Sequence, residues 1–126
     1  MEDTATLTRS WVQRGFNVVI GWPISDQDYS HFIHLLGDCP TPVFAFTLAP
    51  RLEVALTNRG ERELTDWQYK RIQFHYAEGI ASPSFGVLID NSDQTPDQTV
   101  QTIMNAINRV PTITDDATTS IPLTSP

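Results

Sequence analysis

The sequence predicts an α/β domain: a short parallel sheet of about three strands, helices on both faces, and a helical insertion that forms a lid. Three observations predict it. Short apolar runs without polar alternation recur at 16–20 (FNVVI), 43–48 (VFAFTL) and 85–90 (FGVLID), as strands buried on both faces do. Amphipathic stretches at helical spacing precede, separate and follow these runs. Glycine, proline and capping residues stand at the joints. Helices between consecutive apolar strands imply parallel pairing through right-handed crossovers.

The elements follow in order. Residues 3–14 carry Leu7, Trp11 and Val12 at helical spacing and stop before Gly15, a good C-cap residue. The first strand is then expected at 16–20. Ser25 is placed to cap a helix whose Tyr29, Phe32, Ile33 and Leu36 form one apolar stripe ending at Gly37. A proline-bounded loop leads to the second strand, 43–48. After the third strand, 85–90, Thr95, Pro96 and Gln98 make a capping box with proline in the first turn. Val100, Ile103, Met104 and Ile107 supply that last helix with an apolar face. Residues 1–110 thus read as one domain, and 111–126, rich in Thr, Ser and Pro, as a disordered tail.

Between the second and third strands lie 36 residues, too many for a simple crossover. A helix is expected from Pro50 to Gly60. A second capping box, Thr65 with Gln68, opens another through about Tyr76. Together they form the lid, at about 50–80, over the carboxyl ends of the strands. In open α/β sheets ligands bind beyond those ends, here at 22–26, 49–51 and 91–95.

Charge draws attention to the same insertion. The 126-residue chain has a formal net charge of -7, yet five of its eight Lys and Arg residues, Arg51, Arg59, Arg62, Lys70 and Arg71, fall between 51 and 71. The acidic balance argues against nucleic-acid or anionic-membrane binding through the whole surface, so an anionic partner has to be met locally. Two readings of the cluster stand side by side. Interleaved Glu61, Glu63 and Asp66 allow a solvated, ion-paired helix surface of little energetic weight. The same arginines suit a phosphate clamp, because the planar guanidinium donates two hydrogen bonds while neutralising charge.

Other classes find little support. Cys39 is alone, so neither a disulfide framework nor a cysteine zinc site is expected. His31 and His34 make an i, i+3 pair with no third ligand at suggestive spacing, and His75 is distant in sequence. No apolar run approaches the length of a membrane-spanning helix, and no signal-peptide core precedes the domain. A reducing cytoplasm is the default location.

The order of a strand ending in Ala-Pro, the segment RLEVALTNRGERELTDWQYKRIQFHY, the strand-and-turn IDNSDQTP and a closing helix resembles the carboxyl-terminal portion of small P-loop kinases. These have the nucleoside-monophosphate-kinase fold and include gluconate-kinase-like, shikimate-kinase-like and chloramphenicol-phosphotransferase-like enzymes. The resemblance covers about residues 5–109. It implies ATP and magnesium as cofactors and phosphorylation of a small molecule. Arg59 and Arg62 would be lid arginines stabilising the transferred phosphoryl group. Asn91, Ser92, Asp93 and Gln94 would line the nucleotide base. Trp22, Pro23 and Asp26 would belong to the acceptor side. Residues 91–95 read equally well as a turn with a cap, and Trp22 equally well as core.

The chain departs from that family in one large respect. It has neither the central strand nor the Gly-x-x-x-x-Gly-Lys-Ser/Thr loop that holds the phosphates, and its only lysine is Lys70. Gly21 also stands where related kinases often place an acidic residue. Phosphoryl transfer by this chain alone is therefore not expected. Three readings remain: a fragment of a P-loop kinase, favoured by the helix-first start; a non-catalytic module that binds a nucleotide or a phosphorylated small molecule; or an interaction protein whose open sheet edge is covered by a second copy or a complementing chain.

Overall fold

In the computed structural model of the chain, which describes residues 1–58 and 60–109, five helices accompany a two-stranded parallel sheet. The order is α1 (Glu2–Gln13), α2 (Asp26–Leu36), β1 (Phe46–Leu48), α3 (Leu52–Ala55), α4 (Asp66–Ala77), β2 (Val87–Ile89) and α5 (Pro96–Arg109). Arg59 and the expected tail, 111–126, lie outside the described residues.

Helix starts follow the local code closely. The Ser25 hydroxyl accepts from the Asp28 amide at 3.1 Å and opens α2. At α4 the capping box is complete: Thr65 Oγ1 accepts from the Gln68 amide at 3.2 Å, and Gln68 Oε1 accepts from the Thr65 amide at 3.0 Å. Thr95 and Gln98 repeat it at α5, with distances of 3.2 and 2.8 Å. Each box satisfies two amides that a helix start otherwise leaves without partners. The helix expected from Pro50 to Gly60 is only the single turn α3. Thr57 bonds back to the Val54 carbonyl, and Asn58 spends its side-chain oxygen on the Leu64 amide, so the chain turns away.

The core lies between α1 and α2. Ala5 packs with Phe32 and Leu36, flanked by Met1, Leu35 and Cys39. The small residues Ala5 and Thr8, not Leu7 and Trp11, occupy the buried side of α1, and Leu7 stays 60% exposed. Small side chains let α2 approach closely, and the Thr8 hydroxyl is satisfied by the Thr4 carbonyl at 2.7 Å. Arg9 ties the pair shut by donating to the Leu36 carbonyl and reaching Asp38 at 3.4 Å.

The sheet differs from the expectation in two ways. First, it has two strands, not three: Phe46, Thr47 and Leu48 pair in parallel with Val87, Leu88 and Ile89, while 16–20 enters no ladder. A β-branched run becomes a strand only where a neighbour takes its backbone groups, and none of the described residues does so here. Second, helices do not cover both faces. Val87 and Leu88 point to opposite faces, and both remain about half exposed. Ile89 alone in this pair of strands is buried.

Gly86 sets the entry of β2. Its φ is 68°, and a Cβ there would stand 2.5 Å from the Ala45 carbonyl oxygen. That close approach brings the Val87 amide onto Ala45 at 2.9 Å, the first bond joining the two strands.

Candidate functional site

The carboxyl ends of β1 and β2 are locked together by Arg51. Its amide donates to Ser92 Oγ at 2.8 Å, and its guanidinium makes a two-pronged contact with Asp93 at 3.0 and 3.3 Å. Glu53 lies 3.4 Å and Asp90 4.0 Å from the same guanidinium. The Ser92 hydroxyl donates in turn to Asp90, whose carboxylate also accepts from the Ser92 amide at 2.9 Å. These bonds set the charges. The Ser92 hydroxyl and amide hold Asp90 below the usual carboxylate range, the hydrogen bond from Arg51 does the same for Asp93, and Asp93 raises Arg51. Three carboxylates thus surround one guanidinium. The strand ends are net negative and do not by themselves attract phosphate.

Of the four residues expected along the nucleotide base, three are engaged internally. Ser92 and Asp93 serve Arg51, and Gln94 accepts from Thr99 at 3.0 Å and donates to Thr102 at 3.4 Å, which ties it to α5. Asn91 differs: its side-chain oxygen is enclosed and has no hydrogen-bond partner. The acceptor-side residues stand elsewhere. Asp26 Oδ1 accepts from the Ser84 amide at 2.9 Å, and Tyr29 stacks on Phe85 with ring centroids 3.8 Å apart. Ser84 and Phe85 precede β2, so Asp26 is held toward the amino end of that strand. Trp22 and Pro23, just ahead of it, are exposed. The structure therefore does not bring Trp22, Pro23 and Asp26 beyond the carboxyl ends with residues 91–94. Without a ladder at 16–20, nothing directs the following turn to that end of the sheet.

The lid stands over the carboxyl end of β1. Its helices α3 and α4 pack on each other, and the Tyr76 hydroxyl donates to the Pro50 carbonyl, which pins the last turns of α4 to the end of β1. At the far end, the Leu64 amide bonded to Asn58 Oδ1 at 2.9 Å closes the turn that carries Arg62. Arg62 lines an open hollow of about 170 Å³ with Ala55, Thr57, Leu64 and Gln68. That is below the roughly 300 Å³ at which pockets for drug-sized ligands begin, and it suits one small polar group.

Three cations of the insertion, unlike Arg51, are not neutralised locally. Among the described residues, Arg62, Lys70 and Arg71 make no salt bridge, although Glu61, Glu63 and Asp66 are interleaved with them in sequence. Arg71 lies over the Phe74 ring at 5.5 Å instead. Within the described part of the cluster, Arg51 is thus ion-paired, while Arg62, Lys70 and Arg71 are exposed. His75 adds no charge: burial, and then the nearby Arg71, lower its pKa and favour the neutral ring. Its Nε2 is enclosed without a partner. Sequence patterning did not single out His75 as a site residue, and it placed Arg51 at a strand end without its carboxylate partners. The acidic residues at positions 53, 90 and 93 were the available signal that Arg51 would be held at the strand ends.

No group of three or more His, Cys, Asp or Glu among the described residues is arranged to hold a metal ion, and no described helix is long and apolar enough to cross a membrane. No family model, curated protein or solved structure matches the chain.

Proposed function

We propose that this chain is a P-loop-kinase-like remnant that binds the phosphate of a nucleotide or phosphorylated small molecule through its lid and does not transfer the phosphoryl group by itself. One observation carries the reading. Arg62 and Lys70 stand exposed without carboxylate partners among the described residues, in a chain of net charge -7. Arg62, beside a small hollow, presents an anion with charge and directional donors that no salt bridge among the described residues occupies. The resemblance to small P-loop kinases supplies the ligand class, and Arg59 would act with Arg62. ATP with magnesium is the first ligand to try. The absence of a phosphate-binding loop in the sequence is the reason that binding without turnover is the expectation.

Thermal unfolding with ATP, ADP or inorganic phosphate, each with and without magnesium, tests the proposal. A ligand at 100 times its dissociation constant stabilises by roughly 2.7 kcal/mol, a readily measured rise in Tm. The rise should disappear when Arg59→Ala is combined with Arg62→Ala. Equal behaviour of the original and double-substituted chains would refute lid binding. Phosphate release from ATP by the chain alone would refute the non-catalytic part. Adding a peptide that carries an apolar strand and a Gly-x-x-x-x-Gly-Lys-Ser loop asks whether activity returns when the missing part is supplied.

A further inference from the structure

We infer that the open edge of β1 is an interface with a second copy of this chain, made by reciprocal exchange of residues 16–20. The inference stands on the sheet and does not rest on the phosphate-binding proposal.

Two incomplete parts of one chain match each other. The first is the outer edge of β1. The Ala45 carbonyl and the Ala49 amide bond to β2, so by the two-residue alternation of a strand the backbone groups of Phe46 and Leu48 point the other way. They meet no strand among the described residues. A hollow of about 230 Å³ at the amino ends of the two strands, lined by Val43, Phe44, Phe46, Gly86, Val87 and Ala106 among others, leaves apolar surface open there. The second part is the segment 16–20. Its β-branched run lies outside every helix and ladder, Val19 is 94% exposed, and the amides at 17–20 make no backbone hydrogen bond among the described residues. One part needs a strand and the other is a strand without a sheet.

The segment is kept from its own sheet. The core between α1 and α2 holds both flanking helices, and Asp26 and Tyr29 anchor the start of α2 at Ser84 and Phe85. The segment bridges these helices as an outward loop. Seated on the β1 edge of another copy, it adds a third strand there, and the partner's segment does the same in return. The result is a closed twofold arrangement, in which each copy gives and receives the same surface. The area is adequate. The exposed parts of Phe16, Val18, Val19 and Ile20, with Phe44 and Leu48, come to on the order of 550 Å² per copy, or about 1,100 Å² in all, which clears the roughly 1,000 Å² expected of a specific interface. Main-chain pairing then supplies affinity and the alternating side chains supply register.

Sedimentation of the full chain from low to high micromolar concentration should show a discrete dimer. Val19→Lys places a charge where the exchanged strand is buried, and Val18→Pro removes an amide and resists a ladder. Both positions lie outside every helix and strand of the single chain, so circular dichroism should be unchanged while dimer dissociation rises at least about a hundredfold. Location is read by cross-linking in a Cys39→Ser background, where one chain carries Asn17→Cys and another carries Phe46→Cys. Oxidation of the mixture should join one chain of each kind. A monomer at all concentrations, open-ended oligomers, or a dimer untouched by Val18→Pro would each overturn the inference. So would an internal bridge in a monomer carrying both cysteines, which would show the segment folding back on its own sheet.

Discussion

The α1–α2 pair is built from less apolar sequence than the β1–β2 pair, yet it closes a core and the strands do not. Phe32 and Leu36 are buried against Ala5, whereas Leu48, Val87 and Leu88 stand about half exposed. The difference follows from how each element satisfies its backbone. A helix bonds its own amides and carbonyls and needs only one apolar stripe covered. A strand needs neighbours on both edges and cover on both faces, and two strands of three residues supply neither. Local sequence is enough for the first arrangement. The second depends on what else arrives.

That contrast is broken most severely at the helical core. Phe32→Ala should cost about 3–5 kcal/mol, because it empties a packed site, while Leu88→Ala should stay within about 0.5 kcal/mol. Chemical denaturation of both variants checks this, and equal costs would mean that the sheet is covered after all. Next in size is Gly86→Ala. A left-handed φ and a clash with the Ala45 carbonyl should cost about 1–3 kcal/mol and loosen the strands, read as faster hydrogen exchange at the Ala49 amide with protection in α1 unchanged.

A smaller effect sharpens the comparison from the helical side. Thr65→Ala removes one half of the α4 capping box and should cost about 1 kcal/mol, with a loss of helicity near Gln68 visible by NMR. The smallest concerns the exposed lock at the strand ends. Asp93 has a lowered pKa in the folded chain, so its link to Arg51 contributes fully above the ordinary carboxylate range. The contribution is lost as pH falls through the lowered folded value. Carboxyl NMR titration should show Asp93 protonating below the usual range, and Arg51→Ala should move it upward.

What was legible in the sequence was chiefly what neighbours in sequence decide. Ser25, Thr65 and Thr95 were read as caps, and each makes its bond because donor and acceptor are three residues apart. Of the two helices expected in the overlong connection, the one with the Thr65 capping box forms at full length, while the segment from Pro50, which has no side-chain cap, is a single turn. The site was legible only in outline. Residues 91–94 do follow the carboxyl end of a parallel strand, but their engagement with Arg51 and α5 depends on partners far away in sequence. The placement of Trp22, Pro23 and Asp26 failed because it assumed a strand at 16–20, whose pairing partner is not among the described residues. The face of α5 expected to be buried is only half so: Ile103 and Ile107 are partly buried, while Val100 and Met104 stand exposed. Leu7 and Val100 are about 60% exposed because no layer lies over them.

By itself the sequence determined where helices begin, where the chain turns, and that a basic insertion interrupts an acidic chain. These depend on hydrogen bonds and charges within a few residues, which the local order of amino acids specifies. Only the tertiary structure decided which apolar runs become strands, which helix faces are buried, and that Arg62 and Lys70 have no carboxylate partner among the described residues. Those outcomes turn on long-range pairing, where a backbone group or a charge takes whichever partner the rest of the chain brings within reach.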